Sequence, residues 1–484
     1  MRLWLALALT ALLLSGCALP GIGGKSGTSP GAGAHASIER YTGAGSPQID
    51  VVYTGERKFA VTFNGMGDRA TMTALLDELD RHHMRATFFL PGMRVAEEPD
   101  IAIEIVERGH EIENNTLNRL DMSNIDYELM YNEVKLANDV IEQHTGIRPR
   151  YVRTRSGDIP ADLPLVAAQL GMEGAVSYSI NPRDRDMQDA ETIGTYVARY
   201  LARGKVVTLN TDINPEIVPA IAHIAQAAAE AEYAIVPLGE LLATGGFRLP
   251  PEQTPGYELS THNADYENAE YKLIYTMDTS KLADGEKIVA LTLDDWGTER
   301  TVNEVLDILK EYDVPSTFFL RANGVEANPN LARAMVDDGH DVANHTYSHP
   351  VATTLDTEQL QEEVVKAHQL ITWGIQQEPV MLFRPPTGAI DDRSAKVIAA
   401  AGYPLIAMYD VTTLDWDPEK SADDIVQVVK DRTQNGSIIL LHILDGINTI
   451  EALPIIIEYL RSENYTFVKM MDYIDTTLPA REGE

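Results

Sequence analysis

Two histidines four residues apart, His345 and His349, are the residues whose spacing first indicates chemistry. An imidazole is the commonest side-chain metal ligand, and residues at this spacing can face one way on a single helical turn. The pair alone is weak evidence, because histidines four apart also occur as structural residues on ordinary protein surfaces. The neighbouring segments therefore decide between a metal site and an incidental pair.

Polar residues also follow the ends of other predicted strands. Residues 288–293 form an apolar, β-branched run that predicts a buried strand, and two adjacent carboxylates come directly after it. Adjacent carboxylates repel each other unless a positive group such as a metal ion holds them, although a helix N-cap beside a solvated acid explains an isolated pair better. In barrels of parallel strands, chemistry gathers at the C-terminal strand ends. The strand-end segments are Asp294-Asp295, Arg384-Pro385-Pro386-Thr387, Asp415-Trp416 and Leu440-Leu441-His442.

Together with the histidine pair, these segments resemble the five motifs of polysaccharide deacetylases of the NodB-homology type, carbohydrate esterase family 4. The family motifs are a double Asp, His-x-x-x-His, Arg-Pro-Pro, Asp-Trp and Leu-x-His, and all five occur here in that order. The resemblance implies a distorted, incomplete (β/α) barrel with a metal at its mouth. It also implies a hydrolase that removes N-acetyl groups from an N-acetylhexosamine-containing polysaccharide, which is peptidoglycan, a chitin-like polymer or an exopolysaccharide.

The same resemblance implies a role for each site residue. A divalent metal is expected, Zn²⁺ first and Co²⁺, Ni²⁺ or Mn²⁺ as alternatives, and three protein ligands would leave positions open for water and substrate. The expected ligands are Asp295, His345 and His349. The expected catalytic residues are Asp294 as general base, His442 as general acid, Arg384 orienting Asp294, and Asp415 favouring charged His442. The expected substrate-binding residues are Trp416, Leu440, Thr387 through its backbone N–H, Pro386 and Trp296.

Two of these positions depart from the family pattern. The family usually has glycine after the double Asp, where this chain has Trp296, and often an aromatic residue after Arg-Pro-Pro, where it has Thr387. We expect the Trp296 ring to replace the missing aromatic face. These departures leave the preferred sugar open, but they do not touch the residues expected to perform the chemistry.

The pattern of short strands and helices occurs twice in the chain. Residues 86–90 match residues 316–320, and residues 109–111 match residues 339–341, both at an offset of 230 (316 − 86 and 339 − 109). A constant offset over this length indicates two copies of one domain. The predicted fold is therefore α/β, with two tandem distorted (β/α) barrels of NodB-homology type. The predicted segments are a signal peptide at 1–17, a tether at 18–50, a first copy at 51–247, a linker at 248–285 with a hairpin near 271–279, and a second copy at 286–478.

The first copy lacks the expected metal ligands. Alignment at offsets of 230 to 232 puts other residues at each of the ligand positions and at Asp294, and an Asn-Gly-Asn-Arg set cannot hold a divalent ion as Asp-His-His does. The residues that replace Asp294, Asp295, His345 and His349 are Asn64, Gly65, Asn115 and Arg119, and those that correspond to Arg384, Asp415, Trp416 and His442 are Arg153, Asp184, Arg185 and Asn210. We expect a catalytically inactive domain, and favour packing against its partner over sugar binding.

The N-terminal segment predicts export and lipidation. An apolar run at residues 3–14 is too short to span a bilayer, and Leu14-Ser15-Gly16-Cys17 resembles the lipobox of bacterial lipoproteins. Cys17 is the only cysteine of the chain, although an ordinary secretory signal is the alternative interpretation. We therefore expect an extracytoplasmic protein, lipid-anchored to the membrane through Cys17, with a Gly/Ser/Ala/Pro-rich tether.

The net charge of the chain limits its possible binding partners. The formal charge of −34, from 39 basic and 73 acidic residues, disfavours a nucleic-acid partner. A glycan substrate, the membrane and packing between the two barrels are the expected interactions.

Two other functions stay open. Two histidines and a carboxylate also suit a non-haem Fe(II) oxygenase, and a two-barrel lipoprotein can serve as a non-catalytic glycan receptor.

Overall fold

The computed structural model describes residues 38–478 and contains two predominantly parallel sheets, each covered by helices. Both sheets belong to one compact unit that begins at residue 40. The predicted signal peptide, Cys17 and most of the predicted tether lie outside the described residues. Among residues 38–478, no helix combines the length and the apolar character that crossing a membrane requires.

The first copy is built on an eight-stranded sheet. The strands occur in the spatial order β1-β6-β5-β4-β3-β2-β7, and β8 lies beside β2. The strands are β1 (Gln48–Ile49), β2 (Lys58–Asn64), β3 (Thr87–Leu90), β4 (Glu111–Asn114), β5 (Tyr151–Val152), β6 (Gly174–Val176), β7 (Val206–Asn210) and β8 (Ala234–Ile235). The helices are α1 (Arg69–Arg81), α2 (Gly92–Glu97), α3 (Pro99–Glu107), α4 (Tyr127–Thr145), α5 (Leu163–Gln169), α6 (Ala190–Tyr200), α7 (Ile217–Glu230) and α8 (Leu238–Ala243).

The second copy repeats this plan with a nine-stranded sheet. Its order is β15-β16-β10-β11-β12-β13-β14-β9, and β17 lies beside β10. The strands are β9 (Lys272–Ile274), β10 (Lys287–Asp295), β11 (Ser316–Leu320), β12 (Asp341–Asn344), β13 (Leu382–Phe383), β14 (Leu405–Ala407), β15 (Val411–Thr412), β16 (Ser437–His442) and β17 (Tyr465–Phe467). The helices are α9 (Glu299–Glu311), α10 (Ala322–Ala327), α11 (Pro329–Asp337), α12 (Thr357–Ile375), α13 (Asp392–Ala400), α14 (Ala422–Arg432) and α15 (Thr449–Ser462).

Both sheets curl into incomplete barrels, and the predicted fold class is confirmed. Strand β10 shows why the sequence folds in this way, since its alternate residues face opposite sides of the sheet. Leu291 and Leu293 belong to the core that includes Leu306 of α9, whereas Ile288 and Ala290 belong to the core inside the barrel. Helix α9 begins after Thr298, whose side chain accepts a hydrogen bond from the Thr301 N–H as an N-cap.

The structure corrects the sequence prediction in two segments, one before the first copy and one in the linker between the copies. Strand β1 lies inside the stretch predicted as tether, because its backbone adds to the sheet edge beside β6. No hairpin forms near residues 271–279. Strand β9 instead pairs in parallel with β14, and Thr276 makes an isolated bridge to Ser437. The unpaired edge of β14 offers a row of backbone donors and acceptors that β9 satisfies.

Candidate metal and acid–base site

The register of the second sheet brings the predicted site residues to one edge. Asp294 pairs with Phe319 on one side and with His442 on the other, and the last residue of β11, Leu320, pairs with Asn344. Because the strands are parallel, their C-terminal ends meet, and the residues that follow them share one mouth. The sequence placed these residues at strand ends, and the sheet order makes those ends neighbours.

Asp295, His345 and His349 form a group of possible metal ligands. One ligand atom from each residue lies within 4.8 Å of the others, and the His349 Nε2 is 3.6 Å from the Asp295 Oδ1. Two ligands of a tetrahedral zinc ion, each at about 2.1 Å from the metal, lie about 3.4 Å apart. The nitrogen and carboxylate donors also match the ligands that zinc takes in proteins. The residues present therefore fit a divalent ion.

The two histidines meet through a bent loop and not through a helical turn. The segment from His345 to Pro350 has no helical residues, and both Thr346 and His349 have φ of +67°. The Asn344 side chain accepts from the Thr346 N–H at 2.9 Å, and the Thr346 hydroxyl accepts from the His349 N–H at 3.0 Å. These bonds hold the left-handed residues in place, so the spacing of four was informative for a reason other than helical periodicity.

A hydrogen bond sets the tautomer of His345. Its Nδ1 is 2.7 Å from the carbonyl oxygen of Arg384, which can only accept, so Nδ1 carries the proton and Nε2 is free for a metal. Burial lowers the pKa of His345 and so favours the neutral imidazole, although the nearby carboxylates of Asp294 and Asp295 act in the opposite direction. A neutral imidazole is the form that binds metal.

Asp294 is held by a buried arginine. Arg384 is fully buried, and its Nη1 donates to the Asp294 Oδ1 at 2.7 Å and to the Thr292 hydroxyl at 2.8 Å. The second carboxylate oxygen of Asp294 is 3.7 Å from the His345 Nε2. One oxygen is therefore occupied by Arg384, and the other faces the metal-ligand group, where a general base must lie.

His442 and Asp415 form an oriented pair. The His442 Nδ1 is 2.8 Å from the Asp415 Oδ1, and the His442 backbone N–H donates to the Oδ2 at 2.7 Å. The hydroxyls of Thr413 and Thr449 also donate to this fully buried carboxylate. Burial opposes the charged imidazole, but the hydrogen bond and the charge of Asp415 outweigh it and raise the pKa of His442.

Asp295 adopts a backbone conformation that side chains rarely take, with φ of +79°. The equivalent residue of the first copy is Gly65, with φ of +83°. Glycine takes this conformation without strain, whereas a residue with a Cβ pays about 1–2 kcal/mol. The strain at Asp295 is retained at the one position where the carboxylate faces two histidines, which is typical of functional sites.

A cavity of about 530 Å³ opens over these residues. Three predicted substrate-binding residues, Thr387, Trp416 and Leu440, line it together with the predicted ligands, Asp294 and His442. Pro386 and Trp296 are not among the lining residues, and the Trp296 ring lies against Gly324 of α10. The lining residues that the sequence analysis missed are Gly388, Tyr409, Thr412, Leu414 and Leu444. All of them lie within five residues of a predicted strand end or motif, which is the signal that could have found them.

The first copy places its equivalent residues on the same frame. The Asn115 Nδ2 donates to the Arg153 carbonyl at 2.9 Å, as the His345 Nδ1 does to that of Arg384. The Arg153 Nη1 donates to the Thr62 hydroxyl at 2.7 Å, but the group beyond it is the amide oxygen of Asn64 at 3.4 Å. With no carboxylate beside it, burial lowers the pKa of Arg153 to about 9.

Arginine side chains occupy the mouth of the first copy. Arg119 forms an ion pair with Asp212, and a Cβ built on Gly65 would lie 2.9 Å from the Arg119 Nη1. Arg185 donates from Nε and Nη2 to the Asn210 Oδ1 at 3.1 and 2.9 Å. Within residues 38–478, the Asp295 group alone brings three His, Cys, Asp or Glu side chains to ligand distance.

Comparison with known proteins agrees with the duplication. The family model described as polysaccharide deacetylase matches residues 52–175 and again residues 281–406. Together the two matches cover more than half of the 484 residues. The second match includes the double Asp, the histidine pair and Arg384, and it ends before Asp415 and His442.

Several curated relatives of this chain are named as deacetylases. A peptidoglycan-N-acetylglucosamine deacetylase of Bacillus cereus is 32% identical over 201 residues, which are 40% of this chain and 92% of the relative. A peptidoglycan-N-acetylglucosamine deacetylase of Listeria monocytogenes is 31% identical over 182 residues, which are 38% of this chain and 38% of the relative. A solved structure of a carbohydrate esterase family 4 pseudoenzyme from Bacillus anthracis is 31% identical with a TM-score of 0.38, covering 42% of this chain and 69% of that one.

Proposed function

This chain belongs to the polysaccharide deacetylase family, and we propose that its second copy is a metal-dependent de-N-acetylase acting on an N-acetylhexosamine-containing polysaccharide. The observation that carries the proposal is one cavity lined by a complete ligand group, a carboxylate outside that group and an oriented histidine. These are the parts that amide hydrolysis needs, namely a general base for water and a general acid for the leaving amine.

Asp295, His345 and His349 are the residues that would hold the ion, and we propose Zn²⁺, with Co²⁺, Ni²⁺ or Mn²⁺ as alternatives. A bound divalent ion polarises a carbonyl and lowers the pKa of its water. The protein contributes the neutral tautomer of His345, fixed by the Arg384 carbonyl, and the strained backbone that presents Asp295. Both features prepare the site before any ligand arrives.

Asp294 acts as the general base in this proposal. It takes a proton from the water that attacks the acetyl carbonyl carbon, through the oxygen that Arg384 leaves unoccupied. Arg384 keeps the carboxylate oriented, and Asp294 in turn supplies the counter-charge of the buried guanidinium. The backbone N–H of Thr387, a residue with φ of +60° in the cavity wall, would donate to the developing oxyanion.

His442 acts as the general acid. Its Nδ1 proton is bound to Asp415, so its Nε2 carries the proton that the leaving amine nitrogen receives when the C–N bond breaks. The raised pKa of His442 increases the protonated fraction near neutral pH. Trp416 and Leu440 would contact the acetyl methyl, since both line the cavity and present apolar surface there.

The proposed substrate class is supported by the proposed hydrolysis of an N-acetyl group and by the names of the relatives. The relatives from Bacillus cereus and Listeria monocytogenes are named peptidoglycan-N-acetylglucosamine deacetylases, so we place peptidoglycan first, before chitin-like polymers and exopolysaccharides. The apolar rim of the cavity, formed by Leu414, Trp416 and Leu444, suits the face of a pyranose ring. We further propose that the first copy is inactive, because its equivalent residues include no ligand group.

The direct test is release of acetate from N-acetylglucosamine oligomers and from peptidoglycan. We expect acetate release by the full chain, loss on chelation and recovery on addition of Zn²⁺. Asp294→Asn should lower kcat by roughly 10²–10⁴-fold, the usual contribution of a general base. Asp212→Asn, the same change in the mouth of the first copy, is the matched control and should leave the rate unchanged.

Three results would contradict the proposal. Acetate release that survives both chelation and Asp294→Asn would exclude this site as the catalyst. Tight binding of the acetylated oligomers without acetate release, in the presence of Zn²⁺, would favour the alternative of a non-catalytic glycan receptor. Oxygen-dependent turnover would instead favour an Fe(II) oxygenase, for which the oriented His442–Asp415 pair has no obvious use.

We also propose an extracytoplasmic location, with lipid attached to Cys17 and both copies packed as one body. The lipobox-like sequence supports the anchor, and hydrogen bonds between the copies support the packing, such as the one from the Asn330 Nδ2 to the Val52 carbonyl at 2.8 Å. Labelled fatty acid should be incorporated into the full chain and lost in Cys17→Ala. Incorporation that survives this substitution would exclude Cys17 as the anchor.

A further inference from the structure

The two segments that carry the proposed metal ligands are both attached to helix α10. The Ala322 N–H donates to the Thr346 carbonyl and the Asn323 N–H to the Tyr347 carbonyl, each at 3.0 Å, which holds the histidine loop. At the next residue of α10, Gly324, the ring of Trp296 packs against the helix, and Trp296 directly follows Asp295. The position of α10 therefore affects both the Asp295 and the histidine side of the site.

The far end of α10 is connected to the first copy through one carboxylate. Glu299, the first residue of α9, accepts a hydrogen bond from the side chain of Asn328, which caps the C-terminus of α10. The same carboxylate accepts from the Arg203 guanidinium and from the Tyr233 hydroxyl, both in the first copy. Arg203 is only 3% exposed, so this ion pair is shielded from water.

Arg203 is itself held rigidly. Its Nε donates to the Gly55 carbonyl at 2.8 Å, and its own carbonyl accepts from the Asn330 Nδ2 at 2.9 Å. A charged side chain fixed at both ends has little freedom to lose when it binds a carboxylate. The first copy thus offers Glu299 a preformed partner.

The first copy supports its own equivalent loop differently. Its Arg94, at the position of Gly324, donates to the carbonyls of Met66 and Gly67 at 3.2 and 3.4 Å. In the second copy this support is absent, since Trp296, which replaces Met66, fills the space beside Gly324. The loop after Asp295 therefore lacks the internal arginine that holds its counterpart, and the connection through Glu299 comes from the other copy.

We propose that the first copy is a positioning domain for the active site of the second, acting through Arg203 and Tyr233 on Glu299. Arg203 is a positioning residue, because it reaches the ligand segments only through Glu299, Asn328 and α10. The catalytic meaning of this inference rests on the proposed function, whereas its effect on metal affinity does not. Without Arg203, Glu299 would keep a partly buried charge without a cation and would turn towards water, releasing Asn328.

A second ion pair between the copies supplies a matched control. Arg57 of the first copy binds Asp307, which lies on the same helix α9, eight residues after Glu299 (307 − 299). At 1.5 Å per residue, this contact is about 12 Å further from the site. Arg57→Ala therefore removes a more exposed charge pair from the same interface, together with a 3.4 Å contact to the Asn303 carbonyl, and leaves the hydrogen bonds of Glu299 in place.

The experiment measures Zn²⁺ affinity of the full chain by competition with a chelator, together with kcat, KM and thermal stability. We expect Arg203→Ala to weaken Zn²⁺ binding by about tenfold or more and to lower kcat while KM changes by less than about threefold. Arg203→Lys, which keeps the charge, should recover most of both losses. Tyr233→Phe removes one hydrogen bond and should shift Zn²⁺ affinity in the same direction by a smaller factor.

Arg57→Ala should lower thermal stability and leave Zn²⁺ affinity unchanged. Equal Zn²⁺ affinity in Arg203→Ala, Tyr233→Phe and the unmodified chain would overturn the inference, whatever happens to stability. So would equal weakening by Arg57→Ala and Arg203→Ala, which would indicate a general effect of the interface. If the unmodified chain releases no acetate, the proposed function fails, but the comparison of Zn²⁺ affinities still decides the positioning role.

Discussion

A buried arginine lies over a phenylalanine ring at the mouth of each copy, Arg153 at 4.0 Å from the centroid of Phe89 and Arg384 at 3.9 Å from that of Phe319. The frame around these rings is shared, yet what Arg384 meets is a carboxylate and what Arg153 meets is an amide. The arginine and the ring are therefore common to both barrels. The carboxylate that Arg384 orients in the proposed mechanism is present only in the second copy.

The backbone at the mouth is shared as well. Thr116 and Arg119 have φ of +63° and +56°, close to the +67° of Thr346 and His349. The left-handed loop is therefore a property of the barrel and does not depend on histidines. In the first copy the ion pair of Arg119 and Asp212 lies where the second copy has its proposed ligand group, and the Arg185 guanidinium is a second positive charge near Arg119.

Alanine substitution at this loop position should give the largest difference in activity between a variant of the second copy and the equivalent variant of the first. His349→Ala removes one of the proposed ligands, and we expect loss of measurable Zn²⁺ binding and a fall in kcat/KM of roughly 10³-fold, about 4 kcal/mol. Arg119→Ala, its counterpart, should leave acetate release unchanged and lower the free energy of unfolding by about 1–3 kcal/mol, because Asp212 and its surroundings lose their partner. Acetate release and urea unfolding measure the two effects.

A result in the opposite sense would remove the distinction between the copies. Loss of activity in Arg119→Ala at normal stability would make the first mouth part of the catalytic site. Zn²⁺ binding by His349→Ala with unchanged affinity would exclude His349 as a ligand.

The pH dependence should sharpen the comparison at Asp415, which has a buried counterpart in Asp184. In the proposed mechanism His442 is the general acid and works protonated, so activity should be present below its pKa and be lost as pH rises through it. Asp415 raises that pKa against the effect of burial, and the carboxylates of Asp294 and Asp295 act in the same direction. Asp415→Asn should therefore move the alkaline limb of kcat/KM to lower pH and reduce kcat by roughly 10–100-fold.

The control is Asp184→Asn in the first copy. Its carboxylate accepts from the backbone and side chain of Asn210, which does not titrate, so the pH profile should stay where it is. An alkaline limb that does not move in Asp415→Asn would show that another group sets it.

Much of the second site could be predicted because each motif follows a strand whose apolar pattern is plain. The strand at residues 288–293 is observed as β10, and His442 ends β16, whose pairing with β10 brings it beside Asp294. The order of strands in the sheet decides which ends are neighbours, and a single sequence contains that order only through the family resemblance. The duplicated fold could be predicted because matching segments recur at a constant offset of 230 residues.

The remaining features depend on contacts between segments far apart in the chain. The sequence gives no sign that Trp296 lies against Gly324 or that Arg203 reaches Glu299, since neither pair has a local pattern. The left-handed conformation of the loop at His345 also had no local signal, because a spacing of four is compatible with a helical turn and with a bent loop. Strand β9 was predicted as a hairpin, because the edge it pairs with is supplied by β14 more than 100 residues later.

The smallest predicted effect concerns the residue with positive φ before the first long helix of each copy, Gly65 before α1 and Asp295 before α9. Gly65→Ala puts a side chain at φ of +83°, within 2.9 Å of the Arg119 Nη1, and should cost the metal-free protein about 1–2 kcal/mol of unfolding free energy. Asp295→Gly removes comparable strain and adds chain entropy to the unfolded state, so its net change should stay below about 1 kcal/mol, although Zn²⁺ binding is lost. Urea unfolding without metal compares the two variants. Equal losses of stability would mean that Asp295 makes contacts worth as much as the strain it carries, and the two positions would then differ in packing as well as in chemistry.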